Sequence, residues 1–327
     1  MDSHRRTLLA GLAAAGFMAP LRGLAQQLAK TPVIGLLWTD SEKPSPFAEI
    51  LLRGLHDSGW VVGQNLRVED RVTLDGYGDL TQGAADLVRM RVDLIVCNGS
   101  TATLSASRAT KEIPIVTLTG QDPVKLGVAK SLSRPGGNVT GIATRTADLT
   151  AKRMELMKEL VPDLSRLGVV LAKNVGNPNF IRESEAAAKR LNLHVQFVEV
   201  DTAEEIEERL AELARSRVNA IAVAPSTLLS SHSARMVTAV GKHRIPAVYG
   251  NERYADAGGL VTYSTSINKS IARMTRYVDR ILRGASAGEL PIEQVSDLEL
   301  IVNLKAAKIL GIKVPQSMLL RADRVIQ

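Results

Sequence analysis

Ser100-Thr101 and Ser226-Thr227 are the residues of this chain whose type and place best suit chemistry, because each pair ends a short apolar run and opens a helical one. A Ser-Thr turn at such a junction offers hydroxyls and backbone N–H groups, the equipment that receives a carboxylate or another anion at a helix N-terminus. The turns lie in segments that align without a gap. Arg91-Val92-Asp93-Leu94-Ile95-Val96-Cys97-Asn98-Gly99-Ser100-Thr101 matches Arg217-Val218-Asn219-Ala220-Ile221-Ala222-Val223-Ala224-Pro225-Ser226-Thr227, and each is followed by an Ile-Pro strand start, Ile113-Pro114 and Ile245-Pro246. The repeat predicts two similar lobes whose turns face each other across a cleft. Two readings of the hydroxyls stay open at this level: they hold an anion, or they only cap their own helices.

Other chemistry is missing from the sequence. The five histidines, His4, His56, His194, His232 and His243, lie apart without HExxH spacing, and one cysteine makes no thiolate zinc site. There is no Walker A loop, no GxSxG elbow and no GxGxxG after the first strand. Cys97 sits in an apolar run, which excludes an intramolecular disulfide and predicts a packing role. Expected, then, are no catalytic residue, no metal and no cofactor.

These turns must be carried by a large scaffold. A chain of 327 residues exceeds what one hydrophobic core usually serves, so two domains are expected. Its 45% hydrophobic content is globular, and only 3% aromatic residues leave the cores to Leu, Val, Ile and Ala. The first residues read as an address: His4-Arg5-Arg6 is a positive start, 7–19 an apolar stretch too short to span a bilayer, and Gly23-Leu24-Ala25 a small-residue cleavage site. The Arg pair leaves both the general secretory and the twin-arginine route open. The net charge is +7, with a pI near 9.6. Arg5, Arg6 and Arg22 against Asp2 carry two of those charges, leaving about +5 once the signal is removed. The remaining Lys and Arg are scattered, without basic runs or interleaved aromatics, so no nucleic acid partner is expected.

From Thr31 onward strand and helix patterns alternate. Strands are predicted at 33–38, 66–69, 94–97 and 115–118, with helices over 47–58, 80–89 and from Thr101; Phe47, Ile50, Leu51 and Leu55 share a face of the first helix. Ser133-Arg134-Pro135-Gly136-Gly137-Asn138-Val139-Thr140-Gly141 is the strongest break and reads as a crossing to a second lobe. There strands at 167–171, 195–200, 220–223 and 247–249 alternate with helices near 179–191, 204–215 and 228–242. A strand at 260–263, a helix over 267–283 and a last strand and helix around 298–310 suggest that the chain returns to the first lobe. Such alternation implies parallel sheets covered on both faces.

The run from Leu51 to Leu66, Ile113-Pro114-Ile115-Val116, Asp122-Pro123-Val124, Arg134-Pro135-Gly136-Gly137-Asn138-Val139-Thr140-Gly141, Gly258-Gly259-Leu260-Val261-Thr262-Tyr263 and Glu299-Leu300-Ile301-Val302-Asn303-Leu304-Lys305 resemble the ABC transporter substrate-binding protein family that includes tryptophan and tyrosine binders. The resemblance spans nearly the whole chain after the signal. It implies an α/β fold of the type I periplasmic binding kind: two doubly wound parallel-sheet lobes joined by a hinge of three crossings, with the ligand between them. Two departures stand out. Asn98-Gly99-Ser100-Thr101 replaces a Gly-Thr-Pro type turn, and Arg71-Val72-Thr73-Leu74-Asp75 replaces an aromatic-rich segment.

The expected division is an export signal at 1–25, a first lobe of 26–143 plus 251–288, and a second lobe of 144–250 plus 289–327. Ligands of open parallel sheets sit beyond the carboxyl ends of the strands. That rule selects Trp38, Thr39, Asp40, Asn98, Ser100, Thr101 and Asp122 in the first lobe, and Asn174, Asn177, Ser226, Thr227, Tyr249 and Asn251 in the second. The Ser-Thr pairs would receive an anionic end, Asp40 or Asp122 an amine, and Trp38 would pack on the ligand. Tyr249 and Tyr263 would donate a hydroxyl or pack the hinge, while Trp60 reads as structural. The expected function is a monomeric periplasmic receptor that delivers a small polar solute, an amino acid or related carboxylate, to an ABC permease. A periplasmic sensing module and an exported enzyme are the rival readings.

Overall fold

A computed structural model describes residues 31–40, 45–74, 79–144, 149–173, 177–295 and 297–327. The expected export signal at 1–25 lies outside the described residues, as do Asn174 and the side chain of Asn177.

The chain begins with β1 (Val33–Leu37), β2 (Thr39–Asp40) and α1 (Pro46–Asp57). Ser45 starts α1 by accepting from the Ala48 N–H, and Pro46 supplies a first helical residue that has no N–H to satisfy. The helix buries Phe47, Ala48, Leu51 and Leu55. Next come β3 (Arg67–Asp70), β4 (Thr73–Leu74), α2 (Leu80–Arg89), β5 (Leu94–Asn98), α3 (Ser100–Ala109), β6 (Ile115–Thr119) and β7 (Val139–Ala143). The second lobe follows with α4 (Thr150–Leu160), β8 (Arg166–Ala172), α5 (Asn177–Arg190), β9 (His194–Val200), α6 (Ile206–Arg215), β10 (Ala220–Val223), α7 (Thr227–Ser231), α8 (Ser233–Lys242), β11 (Ala247–Tyr249), α9 (Arg253–Asp256) and β12 (Val261–Thr265). Then α10 (Ile267–Leu282) and β13 (Glu293–Gln294) return to the first lobe, and β14 (Leu298–Asn303), α11 (Leu304–Leu310), α12 (Gln316–Arg321) and β15 (Arg324–Ile326) close the second.

Two sheets result. The first has the order β13-β7-β6-β5-β1-β3, all parallel. The second has the order β15-β14-β12-β11-β10-β8-β9, with one antiparallel pairing, β12 with β14. Each sheet is covered on both faces. One core packs α1 and α10 residues such as Leu51, Leu55, Met274 and Val278 on the first sheet, and another packs Leu87 and Ala106 from its other side. Met157 and Leu160 cover one face of the second sheet, and Leu210, Leu213 and Met236 cover the other.

The aligned segments take the same structure. Arg91 and Arg217 both adopt left-handed backbone, φ 52° and 53°, where a helix turns into a strand. Two residues on, Asp93 accepts from the Val33 N–H at 2.8 Å and Asn219 from the Arg166 N–H at 3.0 Å, so each copy fixes the start of the neighbouring strand with one side-chain oxygen. A carboxylate and an amide oxygen serve equally here because an N–H needs only an acceptor.

Three segment assignments change. Val139–Ala143, predicted as part of a crossing, is a strand of the first sheet, because Gly141 at φ 132° lets its backbone lie against Thr117, where a Cβ would meet the Thr117 carbonyl oxygen at 2.2 Å. The stretch 251–265, expected in the first lobe, stays in the second, where Val261–Thr265 pairs with β11 and β14. Conversely Glu293–Gln294, expected in the second lobe, pairs with β7 in the first. The crossings therefore follow β7, β12 and β13, each leaving a strand at its carboxyl end. A strand that enters the second sheet from that side must run against its neighbour, which explains the antiparallel β14.

Candidate functional site

The carboxyl ends of both sheets border one cavity of about 350 Å³. Its size falls within the ~300–1,000 Å³ usual for small-molecule sites. Of the sequence-predicted residues, Thr39, Asp40, Asn98, Ser100, Thr101, Ser226, Thr227 and Asn251 line it. The two Ser-Thr turns do face each other, and more closely than a shared anion between them would allow. A Cβ on Gly99 would meet the Thr227 methyl at 2.9 Å.

The turns differ in what their hydroxyls do. Ser226 accepts from the Leu229 N–H at 2.9 Å and so caps its own helix. In the first lobe the capping position is Gly99, at φ 96°, which has no side chain to offer, and Ser100 is tied to the Thr119 hydroxyl at 2.8 Å. The N-terminus of α3 therefore opens on the cavity without a side-chain cap. The Thr101 hydroxyl and the side-chain amides of Asn98, Gln121 and Asn268 also border the cavity and make no hydrogen bond among the described residues. Thr39 bonds Thr73 at 3.0 Å, which ties the two short strands β2 and β4 together.

Charge enters at one corner. Asp40 is only 3% exposed; its Oδ2 accepts from the Ser45 hydroxyl at 2.5 Å and its Oδ1 lies 3.7 Å from the Arg253 guanidinium of the opposite lobe. Glu252 accepts from the Ile267 N–H at 3.0 Å and thus caps α10 across a crossing. Burial raises the Glu252 pKa above the usual carboxylate value, with Glu299 and Asp256 adding repulsion and the helix N–H groups opposing. A second ion pair, Lys125 with Glu183 at 3.3 Å, joins the lobes at an exposed position.

Several expectations need correction. Trp38 is fully buried, 5.0 Å from the Phe47 ring centroid with its N–H on Ser45, so Phe47 and not Trp38 reaches the cavity wall. Tyr249 is buried against Tyr254 at 4.6 Å between ring centroids, because the side chain of a strand residue points to one face of the sheet and not off its end. Asp122 caps the turn after it, accepting from the Val124 N–H at 2.8 Å. Tyr263 also lies outside the wall, and its carbonyl accepts from the buried Arg153 at 2.9 Å. Trp60 is structural, donating to Asp279 at 2.8 Å under the Arg283 guanidinium. Cys97 is buried in the first sheet, and burial drives its thiol pKa upward. Arg253 and Asn268 line the cavity without being selected by the carboxyl-end rule, and Gln121 lies at the strand end that the rule marks, beside Asp122. Arg253 was findable, because Asn251-Glu252-Arg253 follows directly on a strand end.

Among the described residues no cluster of His, Cys, Asp or Glu is placed to hold a metal ion, and no helix is long and apolar enough to cross a membrane. Two doubly wound lobes with a polar cleft at their strand ends define the type I periplasmic binding fold. The chain belongs to the ABC transporter substrate binding protein family, whose model matches residues 47–326. A tyrosine-binding protein of Clostridioides difficile (strain R20291) is 26% identical over 265 residues, 80% of this chain and 75% of that protein. A conserved domain protein from Vibrio cholerae superposes with a TM-score of 0.82 at 23% identity, covering 90% of this chain and 100% of that one. An ABC domain from Streptococcus pneumonia in complex with L-Trp superposes with a TM-score of 0.79 at 24% identity, with the same coverage.

Proposed function

We propose that this chain is the periplasmic solute-binding component of an ABC importer, which captures an amino acid or a related small carboxylate between its lobes and delivers it to the permease. The observation that carries this reading is the interlobe cavity, bordered by the uncapped N-terminus of α3 and by the uncommitted side chains of Asn98, Thr101, Gln121 and Asn268. Backbone N–H groups and amides of this kind suit the polar groups of a small solute. Phe47, Ile50 and Phe180 offer an apolar wall for the rest of the ligand. The tyrosine-binding relative and the L-Trp complex support the ligand size and class. Export by the first 25 residues with cleavage near Ala25, and action as a monomer without nucleic acid, complete the proposal.

A thermal-shift screen of amino acids, small carboxylates and aromatic acids tests it. A true ligand binds only the folded state and stabilises it by about 2.7 kcal/mol at a hundredfold excess over Kd. A screen in which no member of these classes raises the melting temperature would sink the reading.

A further inference from the structure

We propose that Arg253 receives the ligand carboxylate, and that its pairing with Asp40 makes the site select small carboxylates that lack an amino group. The inference rests on the reading of the cleft as the ligand site and narrows its ligand class.

Among the described residues, four charged side chains border the cavity: Asp40, Glu252, Arg253 and Asp256. Each carboxylate is already held by the chain itself. Asp40 takes the Ser45 hydroxyl on one oxygen and faces Arg253 with the other. Glu252 holds the first N–H of α10, and Asp256 accepts from Arg324 at 2.9 Å. A ligand ammonium would compete with the chain's own donors at each of these groups, and at Asp40 it would meet a guanidinium 3.7 Å from the same oxygen. Like charges at that range in a buried corner repel strongly.

The donors are in the opposite condition. The Arg253 backbone N–H is used, on the Asn251 side chain at 2.9 Å, but its guanidinium makes no hydrogen bond among the described residues; its ion pair with Asp40 lies beyond hydrogen-bond distance. Five N–H groups in a planar fork, on a side chain 31% exposed at the cavity wall, suit a carboxylate bound by two parallel hydrogen bonds. Asp40 balances the charge and holds the fork from the other lobe. The receptor is thereby assembled only when the lobes meet, which couples recognition of the acid to closure.

The test compares matched compounds that differ only in the amino group. Titration calorimetry of the unaltered protein would use L-tyrosine with hydroxyphenylpropanoate, L-tryptophan with indolepropanoate and L-leucine with methylpentanoate. The expected result is that at least one des-amino acid binds at least tenfold more tightly than its amino acid partner. An amino acid that binds more tightly than its des-amino partner overturns this inference and leaves the proposed function standing. No binding by any member of the three pairs overturns this inference, and the proposed function falls with it only when the wider thermal-shift screen also finds no ligand. Arg253→Gln should weaken the des-amino acid by about 10- to 100-fold, as loss of a charge-assisted contact does, with Arg253→Lys intermediate. Because Asp40 is buried and Asp40→Asn can fail to fold, the matched pairs on the unaltered protein decide the matter alone. If Asp40→Asn folds, it should bind the des-amino acid more weakly than the unaltered protein does, because the fork has lost the group that holds it. Loss of all binding in that variant, with Arg253→Gln unaffected, would overturn the assignment.

Discussion

The turn at Gly99-Ser100-Thr101 and the turn at Pro225-Ser226-Thr227 begin from nearly the same sequence and end with different duties. Both follow a buried strand whose start is fixed by a side-chain oxygen, Asp93 in one lobe and Asn219 in the other. Past the strand they part. Pro225-Ser226 places a hydroxyl where it satisfies its own five-residue helix, whereas Gly99 leaves the N-terminus of the ten-residue α3 uncapped and open to the cleft. One turn is internally satisfied and forms a wall; the other keeps its donors for a ligand. Duplicated sequence thus gives a duplicated scaffold without two equal half-sites, because a single capping residue decides whether N–H groups are spent locally or left free.

The sharpest way to break this comparison is Gly99→Val. A β-branched residue at φ 96° is strained by about 1–3 kcal/mol, and its Cβ would also collide with Thr227 when the lobes are together. Ligand affinity should fall by one to two powers of ten, about 1.4 kcal/mol being tenfold, and small-angle scattering should show less contraction with saturating ligand than in the unaltered protein. Full contraction with unchanged affinity would mean that the turns do not meet around ligand.

A smaller effect separates the two turns directly. Ser226→Ala removes a cap and should cost about 1 kcal/mol of stability, read as a lower melting temperature without ligand. Thr101→Ala removes a hydroxyl that bonds nothing among the described residues, so melting should hold while calorimetry shows roughly tenfold weaker binding. Equal melting losses in both variants would erase the distinction drawn between the turns.

The smallest expected effect probes the crossing that sets the distance between them. The folded-state pKa of Glu252 is raised by burial, so its contribution to stability is fully present below the unfolded carboxylate value and is lost as pH rises through the raised one. Glu252→Gln keeps an acceptor for the Ile267 N–H and has nothing to titrate. The variant should therefore gain in melting temperature relative to the original protein as pH goes from acidic to neutral. A constant difference over that range would show that Glu252 does not sense its burial.

The fold was largely legible because its signal is periodic. Apolar runs of four to seven residues between amphipathic helices announce buried parallel strands, as at β1, β5, β6, β8 and β10. The failures lie where pattern carries no information about partners. Val139–Ala143 follows a Gly-rich break and looked like a linker, since nothing local shows that Gly141 fits against Thr117. Val261–Thr265 reads as a strand in either sheet, and only pairing with β11 and β14 assigns it. In the site, eight strand-end residues were found by the carboxyl-end rule, while Trp38 and Tyr249 were drawn in by the same rule although their side chains point into cores.

Taken alone, the chain's residues determined two α/β lobes, paired Ser-Thr turns at strand ends and the family to which the protein belongs. Those features depend on spacing and on local backbone preference, which are written within a few neighbouring residues. Tertiary structure decided which N–H groups stay free, that Gly99 touches Thr227, and that Asp40 of one lobe faces Arg253 of the other, 213 positions away. Such pairings depend on the approach of two sheets across three crossings, and no local sequence pattern encodes that distance.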